Sequence, residues 1–230
     1  YDFIRRFVVE VDFSQRQLRL HDPQGFNYVG KGEVLPLTFK TNHPHVRATI
    51  EPVNGAPMEV DCMLDLGARS ALILTRPLVE RHKLIENAPQ TLTALAGRGV
   101  GGDVHLLITR LKSFRLGSFE LKQPITGLSQ DTQGALGMSA AYDCLLGTEV
   151  LRRFKNVLDY GRARLILESN AQFAEPFEYD MSGAALEAEG PQFQTIKIVR
   201  LSPNSPPRKP VYKSAISSNV WTINRRPNSA

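Results

Sequence analysis

The chain contains an internal repeat, and this repeat limits the folds that it can adopt. Residues 1–20 align without gaps onto residues 148–167. Arg5-Arg6-Phe7 falls on Arg152-Arg153-Phe154, and Leu18 and Leu20 fall on Leu165 and Leu167. Charged, aromatic and aliphatic positions all match in register, which two unrelated amphipathic segments rarely do. Each copy therefore predicts a short helix, a strand, a turn and a closing strand.

The rest of the chain alternates short apolar runs with turn residues, which indicates a mainly β protein. Two helices are predicted, over residues 76–82 and 148–154, the second with Thr148 as its N-cap. The predicted strands cover residues 7–13, 17–21, 34–39, 46–52, 58–64, 71–74, 104–108, 113–116, 120–124, 155–159 and 164–167.

The net charge of +5 argues against a nucleic-acid partner once its location is considered. Residues 200–230 hold six of the 28 basic side chains and no acidic one, so the remainder carries 22 basic against 23 acidic groups. A body that is close to neutral offers no basic surface for nucleic acid. No apolar run approaches the roughly 20 residues that span a bilayer, so no membrane span is predicted. No signal peptide is visible in the sequence.

Neither the cysteines nor the histidines predict a metal site. Cys62 and Cys144 are too few for a structural zinc site, and we interpret them as buried thiols. They are expected on neighbouring strands, and the sequence leaves open whether they bond. His43-Pro44-His45 is interpreted as a solvated loop, because Pro44 interrupts the segment and no carboxylate partner is evident nearby.

The segment Met63-Leu64-Asp65-Leu66-Gly67-Ala68 joins two apolar runs through a tight turn. A glycine in such a turn lets a backbone amide approach the carboxylate at the end of the buried strand. The segment resembles the active-site turn of the retropepsin-like aspartic peptidases, in which Asp-Thr-Gly-Ala or Asp-Ser-Gly-Ala follows a hydrophobic strand. A lone Asp-x-Gly is a weak signal, because an ordinary turn explains most of them.

Three further features occur in the order that this family shows. Leu145, Leu146 and Gly147 resemble the strand that passes beside the catalytic loop, followed by a short helix, and residues 156–167 resemble the closing strands. A glycine-rich segment resembles the flap hairpin that closes over substrate. Its residues are Gly97, Arg98, Gly99, Val100, Gly101 and Gly102. A nucleotide-binding loop is a poor alternative, since no Lys-Ser or Lys-Thr pair follows the glycines.

The resemblance implies a mainly β, retropepsin-like barrel over residues 46–170 and a specific chemistry. Asp65 would be one of two catalytic carboxylates that share a proton and activate water for peptide-bond hydrolysis. The second carboxylate would come from another lobe of the same protein or from a second copy of the chain. The expected partners are a peptide or protein substrate and that second lobe, with no cofactor and no metal.

One residue departs from the family pattern. Leu66 stands where the family has Thr or Ser, and a leucine side chain cannot form hydrogen bonds. In the family that hydroxyl belongs to a network that holds the two carboxylates coplanar. The alternative interpretation is therefore a catalytically inactive peptide-binding lobe, or a nonfunctional fragment of such a protease.

The remaining segments extend this interpretation. Residues 1–22 are predicted to be the end of a first lobe, and residues 23–45 a linker between lobes. Residues 177–206 resemble the opening of a PDZ domain of the kind attached to bacterial proteases, which would imply a periplasmic or extracellular location. Residues 207–230 are basic and rich in proline, and codon degeneracy permits a PDZ-like peptide in another reading frame. We therefore expect a frameshift near Pro206 and a disordered, out-of-frame tail.

Overall fold

The computed structural model describes the chain except for residues 1–2, 100–101, 138–140, 181–182, 194, 202–220 and 225–230. The chain divides into two compact units, Tyr1–Phe177 and Glu178–Ala230. In the described part of the chain, no helix is long and apolar enough to cross a bilayer.

In the part of the chain that the structure describes, the first unit contains fifteen strands and a few short helices. Its strands are β1 (Val8–Asp12), β2 (Gln17–His21), β3 (Glu33–Pro36), β4 (Thr38–Lys40), β5 (His43–Glu51), β6 (Met58–Leu64), β7 (Leu72–Leu74), β8 (Leu92–Gly99), β9 (Gly102–Arg110), β10 (Ser113–Leu116), β11 (Phe119–Lys122), β12 (Ile125–Ser129), β13 (Cys144–Leu146), β14 (Phe154–Asp159) and β15 (Arg164–Ser169). The helices are a 3-10 turn (Ile4–Arg6), α1 (Arg76–Arg81), α2 (Gly134–Gly137) and α3 (Thr148–Leu151). The predicted fold class, mainly β with a short helix after Leu145-Leu146-Gly147, is confirmed.

The strands form two sheets that enclose one main core. The larger sheet has the order β11-β10-β5-β6-β13-β7-β12-β9-β8, with β4 paired to β5. The smaller sheet has the order β2-β1-β14-β15-β3. Alternate side chains of β6, namely Val60, Cys62 and Leu64, enter the core, as the pleat of a half-buried strand requires.

Strand β13 lies between β6 and β7, which are neighbours in sequence. It runs parallel to β6 and antiparallel to β7. The loop that joins β6 to β7 must therefore cross the end of β13. That loop contains Asp65.

The two copies of the repeat pair with each other across a local two-fold axis. In the antiparallel pairing of β1 with β14, Val8 faces Asp159, Glu10 faces Val157 and Asp12 faces Lys155. The repeat places Val8 on Lys155 and Asp12 on Asp159, so exchanging the copies reproduces the same pairing. The axis passes between Glu10 and Val157. The hairpin β1–β2 also has the register of β14–β15, which confirms that the repeat is structural.

Two predicted boundaries differ from the structure. The helix predicted over residues 148–154 ends at Leu151, with Gly147 rather than Thr148 as its N-cap, because Phe154 already begins β14 in the core. Residues 23–45, predicted to be a linker, contribute β3, β4 and the start of β5 to the two sheets. This segment therefore belongs to the same compact unit.

The second unit contains a three-stranded antiparallel sheet, of order β16-β17-β18. Its strands are β16 (Ala184–Glu189), β17 (Thr195–Leu201) and β18 (Trp221–Asn224). Strand β18 lies inside the segment predicted to be disordered, and its four residues pair with β17. Most of residues 207–230 lie outside the described residues.

Candidate active site

Asp65 lies directly after β6 and is fixed by hydrogen bonds from two sides. Its own backbone N–H donates to the carbonyl oxygen of Leu146 at 3.0 Å. Its carboxylate oxygen Oδ1 accepts hydrogen bonds from the backbone N–H groups of Gly67 at 2.8 Å and Ala68 at 3.2 Å. These two amide donors fix the direction of the carboxylate. Asp65 is half-buried, so one side of it remains reachable from solvent.

The loop of Asp65 is held in place by the end of β13 and the start of α3. The backbone N–H groups of Gly147, Thr148 and Glu149 donate to the carbonyl oxygens of Ala71 (2.9 Å), Ala68 (2.7 Å) and Ser70 (3.2 Å), respectively. The contact is close enough to require glycine, because a Cβ atom on Gly147 would lie 2.1 Å from the carbonyl oxygen of Ser70. The structure thus brings Asp65, Gly67 and Ala68 together with Leu145, Leu146 and Gly147.

Leu66 is partly exposed, at 37%, on the turn beside the carboxylate. Its side chain carries no hydroxyl group. Its carbonyl oxygen accepts the hydroxyl of Thr148 at 2.9 Å. Thr148 therefore stabilises this turn from within the lobe, while the Leu66 side chain leaves an apolar surface next to Asp65.

Tyr142, which the sequence interpretation missed, lies buried near the candidate carboxylate. Burial raises the pKa of Tyr142 above its ordinary value, and the negative charge of Asp65 raises it further. The phenol hydroxyl donates to the carbonyl oxygen of Ala135 at 3.1 Å. Its position just before β13 is the only signal in the sequence that could have placed it here.

A cluster of polar side chains surrounds Asp61, which lies on β6 four residues before Asp65. The Asp61 carboxylate accepts a hydrogen bond from His45 Nδ1 at 3.1 Å. It also forms an ion pair with Lys40 Nζ. His45 and Asp61 are both buried, and the His45 ring lies edge-on to Tyr142. The prediction of a solvated loop at His43-Pro44-His45 is therefore wrong for His45, because the segment forms the first residues of β5 and its imidazole is paired inside the unit.

Four of the predicted flap residues, Gly97, Arg98, Gly99 and Gly102, lie on β8 and β9 at one edge of the larger sheet. Strands β8 and β9 pair so that Gly97 faces Val104, Arg98 faces Asp103 and Gly99 faces Gly102. Val100 and Gly101 lie outside the described residues. The two strands pair antiparallel, and the flap stays a prediction.

The two cysteines are direct neighbours on the strands that support Asp65. Cys62 of β6 and Cys144 of β13 are partners in the parallel pairing, and both are buried free thiols. Burial raises the pKa of the Cys62 thiol well above its ordinary value, and a hydrogen bond with Cys144 adds to the shift. Protonated, buried thiols behave as small apolar side chains.

No family model matches the chain, and no curated protein is detectably similar to it in sequence. Among solved structures, it is similar to the EIAV protease complexed with the inhibitor HBY-793, at 19% identity and a TM-score of 0.35, over 50% of this chain and 91% of that one. It is also similar to the Basic 7S globulin from soybean, at 13% identity and a TM-score of 0.42, over 75% of this chain and 54% of the globulin. At these identities the similarity concerns the fold alone.

Proposed function

We propose that this chain supplies one of the two carboxylates of an aspartic-type endopeptidase site, and that Asp65 is this carboxylate. The observation that supports the proposal most strongly is the way Asp65 is held. Its carboxylate accepts two backbone amides from its own turn, while its own amide is anchored to Leu146 on a strand from a distant part of the chain. Such double fixation keeps a half-buried acid in one orientation, which acid–base catalysis requires.

The chemistry requires a second carboxylate opposite Asp65. Two adjacent carboxylates cannot both ionise cheaply, so the pair keeps one proton and holds a water molecule. The ionised member takes a proton as the water oxygen attacks the scissile carbonyl carbon, and the protonated member donates to the carbonyl oxygen. The first member then gives the proton that it took from water to the amide nitrogen, and the second takes a proton from a diol hydroxyl as the C–N bond breaks. The pair thus returns to one shared proton.

The substrate in this proposal is a peptide or protein segment in an extended conformation. The hairpin β8–β9, with Gly97, Arg98, Gly99 and Gly102 near its tip, is proposed as the flap. Glycines near a hairpin tip permit backbone conformations that other residues adopt with difficulty. Val100 and Gly101 belong to the same proposed flap.

A second candidate function is peptide binding without catalysis, and Leu66 favours it. An apolar side chain beside Asp65 cannot form the hydroxyl network that would align a second carboxylate. The lobe would then keep its fold and its peptide-binding surface but not its chemistry.

A cleavage assay with an inhibitor separates these functions. The chain, a tandem chain with residues 23–147 fused before Tyr1 to supply a second lobe, and the Asp65→Asn variants of both are compared. Each is incubated with an unstructured protein substrate at acidic and neutral pH, with and without a pepstatin-type inhibitor. Inhibitor-sensitive cleavage that disappears in Asp65→Asn supports the endopeptidase. Inhibitor binding without cleavage supports the peptide-binding lobe, and cleavage that survives the substitution removes Asp65 from the mechanism.

For the C-terminal region we propose the opening of a PDZ domain over residues 177–206, interrupted by a frameshift near Pro206. The proposal rests on the sequence pattern of this segment and on the basic, proline-rich composition after it. Sequencing the gene tests it. The absence of any alternative frame that encodes a PDZ-like continuation would contradict it.

A further inference from the structure

Strand β14 has both of its edges occupied within this one chain. One edge pairs with β15 and the other with β1. The pairing with β1 is centred on Glu10 and Val157, through which the local two-fold axis passes. The position that a second copy of β14 would take across that axis is thus filled by β1.

We infer that the second carboxylate is carried by a lobe that uses the hairpin β1–β2 as its own closing hairpin, and not by a second copy of this chain. The inference rests on the proposed function and names the partner of its site. A dimer in which two β14 strands pair would place Val157 against Val157 of the partner subunit. That arrangement requires β1 to leave the sheet, with loss of the buried contacts of Val8 and Val9.

The exposed face of β2 shows what kind of partner covers it. Leu18 and Leu20 are 64% and 40% exposed, whereas their repeat equivalents Leu165 and Leu167 are fully buried beneath the described lobe. The same pair of leucines is thus buried on β15 and exposed on β2. A lobe of the same class, seated on β2 as this lobe is seated on β15, would bury both leucines.

The free edge of β2 supports the same partner. Leu165 and Leu167 of β15 pair with Leu35 and Glu33 of β3, which closes that side of the sheet. On β2, the equivalent edge has no strand partner among the described residues. An unpaired edge beside exposed leucines accepts an added strand. The partner lobe is expected to contribute such a strand, antiparallel to β2.

The first test asks whether two copies pair through β14, and it uses the full chain. Val157→Cys lies at the local axis, so a two-fold dimer would form an intermolecular disulfide under mild oxidation. We expect none, and we expect the chain to sediment as a monomer. The double variant Glu10→Cys with Val157→Cys is the control, because its disulfide should form within one chain. A covalent dimer of Val157→Cys overturns the inference.

The second test supplies the proposed partner. The repeat aligns Tyr1 with Thr148, so residues 23–147 are fused directly before Tyr1, which leaves β1–β2 as the only closing hairpin for the added lobe. We expect the backbone amides of Gln17–His21 to exchange at least about tenfold more slowly in this tandem chain than in the original chain. Unchanged exchange, or an added lobe that stays unfolded, contradicts the inference.

Neither test measures cleavage, so their outcome is separate from that of the proposed function. A tandem chain that protects β2 but lacks activity upholds the partner and rejects the endopeptidase. Pepstatin-sensitive, Asp65-dependent cleavage together with a covalent Val157→Cys dimer upholds the endopeptidase and rejects the proposed partner lobe.

Discussion

The backbone N–H of Asp65 donates to the carbonyl oxygen of Leu146, so the candidate carboxylate is tied to a strand that comes much later in the chain. The connection continues through Gly147 and Thr148, whose amides bind the carbonyl oxygens of Ala71 and Ala68. The orientation of Asp65 thus depends on β13 as much as on its own turn. Changes at β13 should therefore affect the site.

Replacing Gly147 by alanine should destabilise the first unit. The new Cβ would lie 2.1 Å from the carbonyl oxygen of Ser70, and backbone on both sides would have to move. We expect a loss of about 2 to 3 kcal/mol in the free energy of unfolding, measured by urea denaturation. Gly25→Ala is the matched control, because a Cβ there meets nothing within 4 Å, and it should stay within about 0.5 kcal/mol. Equal losses in the two variants would refute the close approach at Gly147.

The repeat offers a matched pair of leucines in different environments. Leu165→Ala removes a fully buried side chain and should cost about 2 to 5 kcal/mol. Leu18→Ala, at the equivalent position of the first copy, should cost less than about 1 kcal/mol because Leu18 is mostly exposed. Urea denaturation of both variants measures the difference. A loss for Leu18→Ala as large as that for Leu165→Ala would show that β2 is already covered.

Arg153 fixes the segment that follows β15. Its buried guanidinium donates to the carbonyl oxygens of five residues and lies 3.8 Å over the ring of Phe177. The five carbonyls belong to Glu149, Gln172, Phe173, Glu175 and Pro176. Lysine keeps the charge but not the planar set of donors, so Arg153→Lys should cost about 2 to 4 kcal/mol.

Limited proteolysis and urea denaturation test this prediction together. Arg153→Lys should become sensitive to cleavage within residues 170–177. The control is Arg152→Lys, which changes a more exposed ion pair with Glu149 and Glu175 and should cost less than about 1 kcal/mol. Similar losses in both variants would contradict the role assigned to Arg153.

His45 should make the first unit less stable as the pH falls. Burial lowers the pKa of His45 below its ordinary value, although the Asp61 carboxylate opposes that shift. The unfolded chain therefore binds a proton near pH ~6.5 while the folded chain does so only at lower pH. The contribution of neutral His45 to stability is fully present above pH ~6.5. It declines as the pH falls from there to the lowered pKa of the folded state.

Denaturation midpoints measured from about pH 7 to about pH 5 test this linkage. His45→Gln should show a shallower decline than the original chain, whatever its absolute stability. His82→Gln is the control, because His82 is exposed and does not contribute to the pKa shift of His45, and its decline should match that of the original chain. A decline that is unchanged in His45→Gln would contradict the assignment.

The resemblance to the retropepsin-like family predicted that the Leu145-Leu146-Gly147 strand passes beside Asp65, and local signals mark each of the two segments. A glycine turn after an apolar run identifies Asp65, and the apolar Cys144-Leu145-Leu146 run before Gly147 identifies β13. The repeat predicted two equivalent hairpins, and the matching registers of β1–β2 and β14–β15 confirm them. These features rest on periodicity and turn chemistry, which are read within a few residues.

The buried polar residues could not be predicted in this way. His45 is paired by Asp61 from the next strand, and Pro44 made the start of β5 look like a loop. The guanidinium of Arg153 is surrounded by carbonyl oxygens, which leave no mark in the sequence. Both depend on which distant segments meet, and local patterns do not contain that information.

The central claim is that Asp65 is one half of a pair of acids, and the tandem chain tests it most directly. Leu66→Thr is placed in both lobes to supply the missing hydroxyls, and the rate of peptide cleavage at acidic pH is measured before and after Asp65→Asn is introduced into one lobe only. We predict a loss of at least about 100-fold from either single substitution, because each acid depends on the other. Cleavage that continues undiminished with only one aspartate present would contradict the claim.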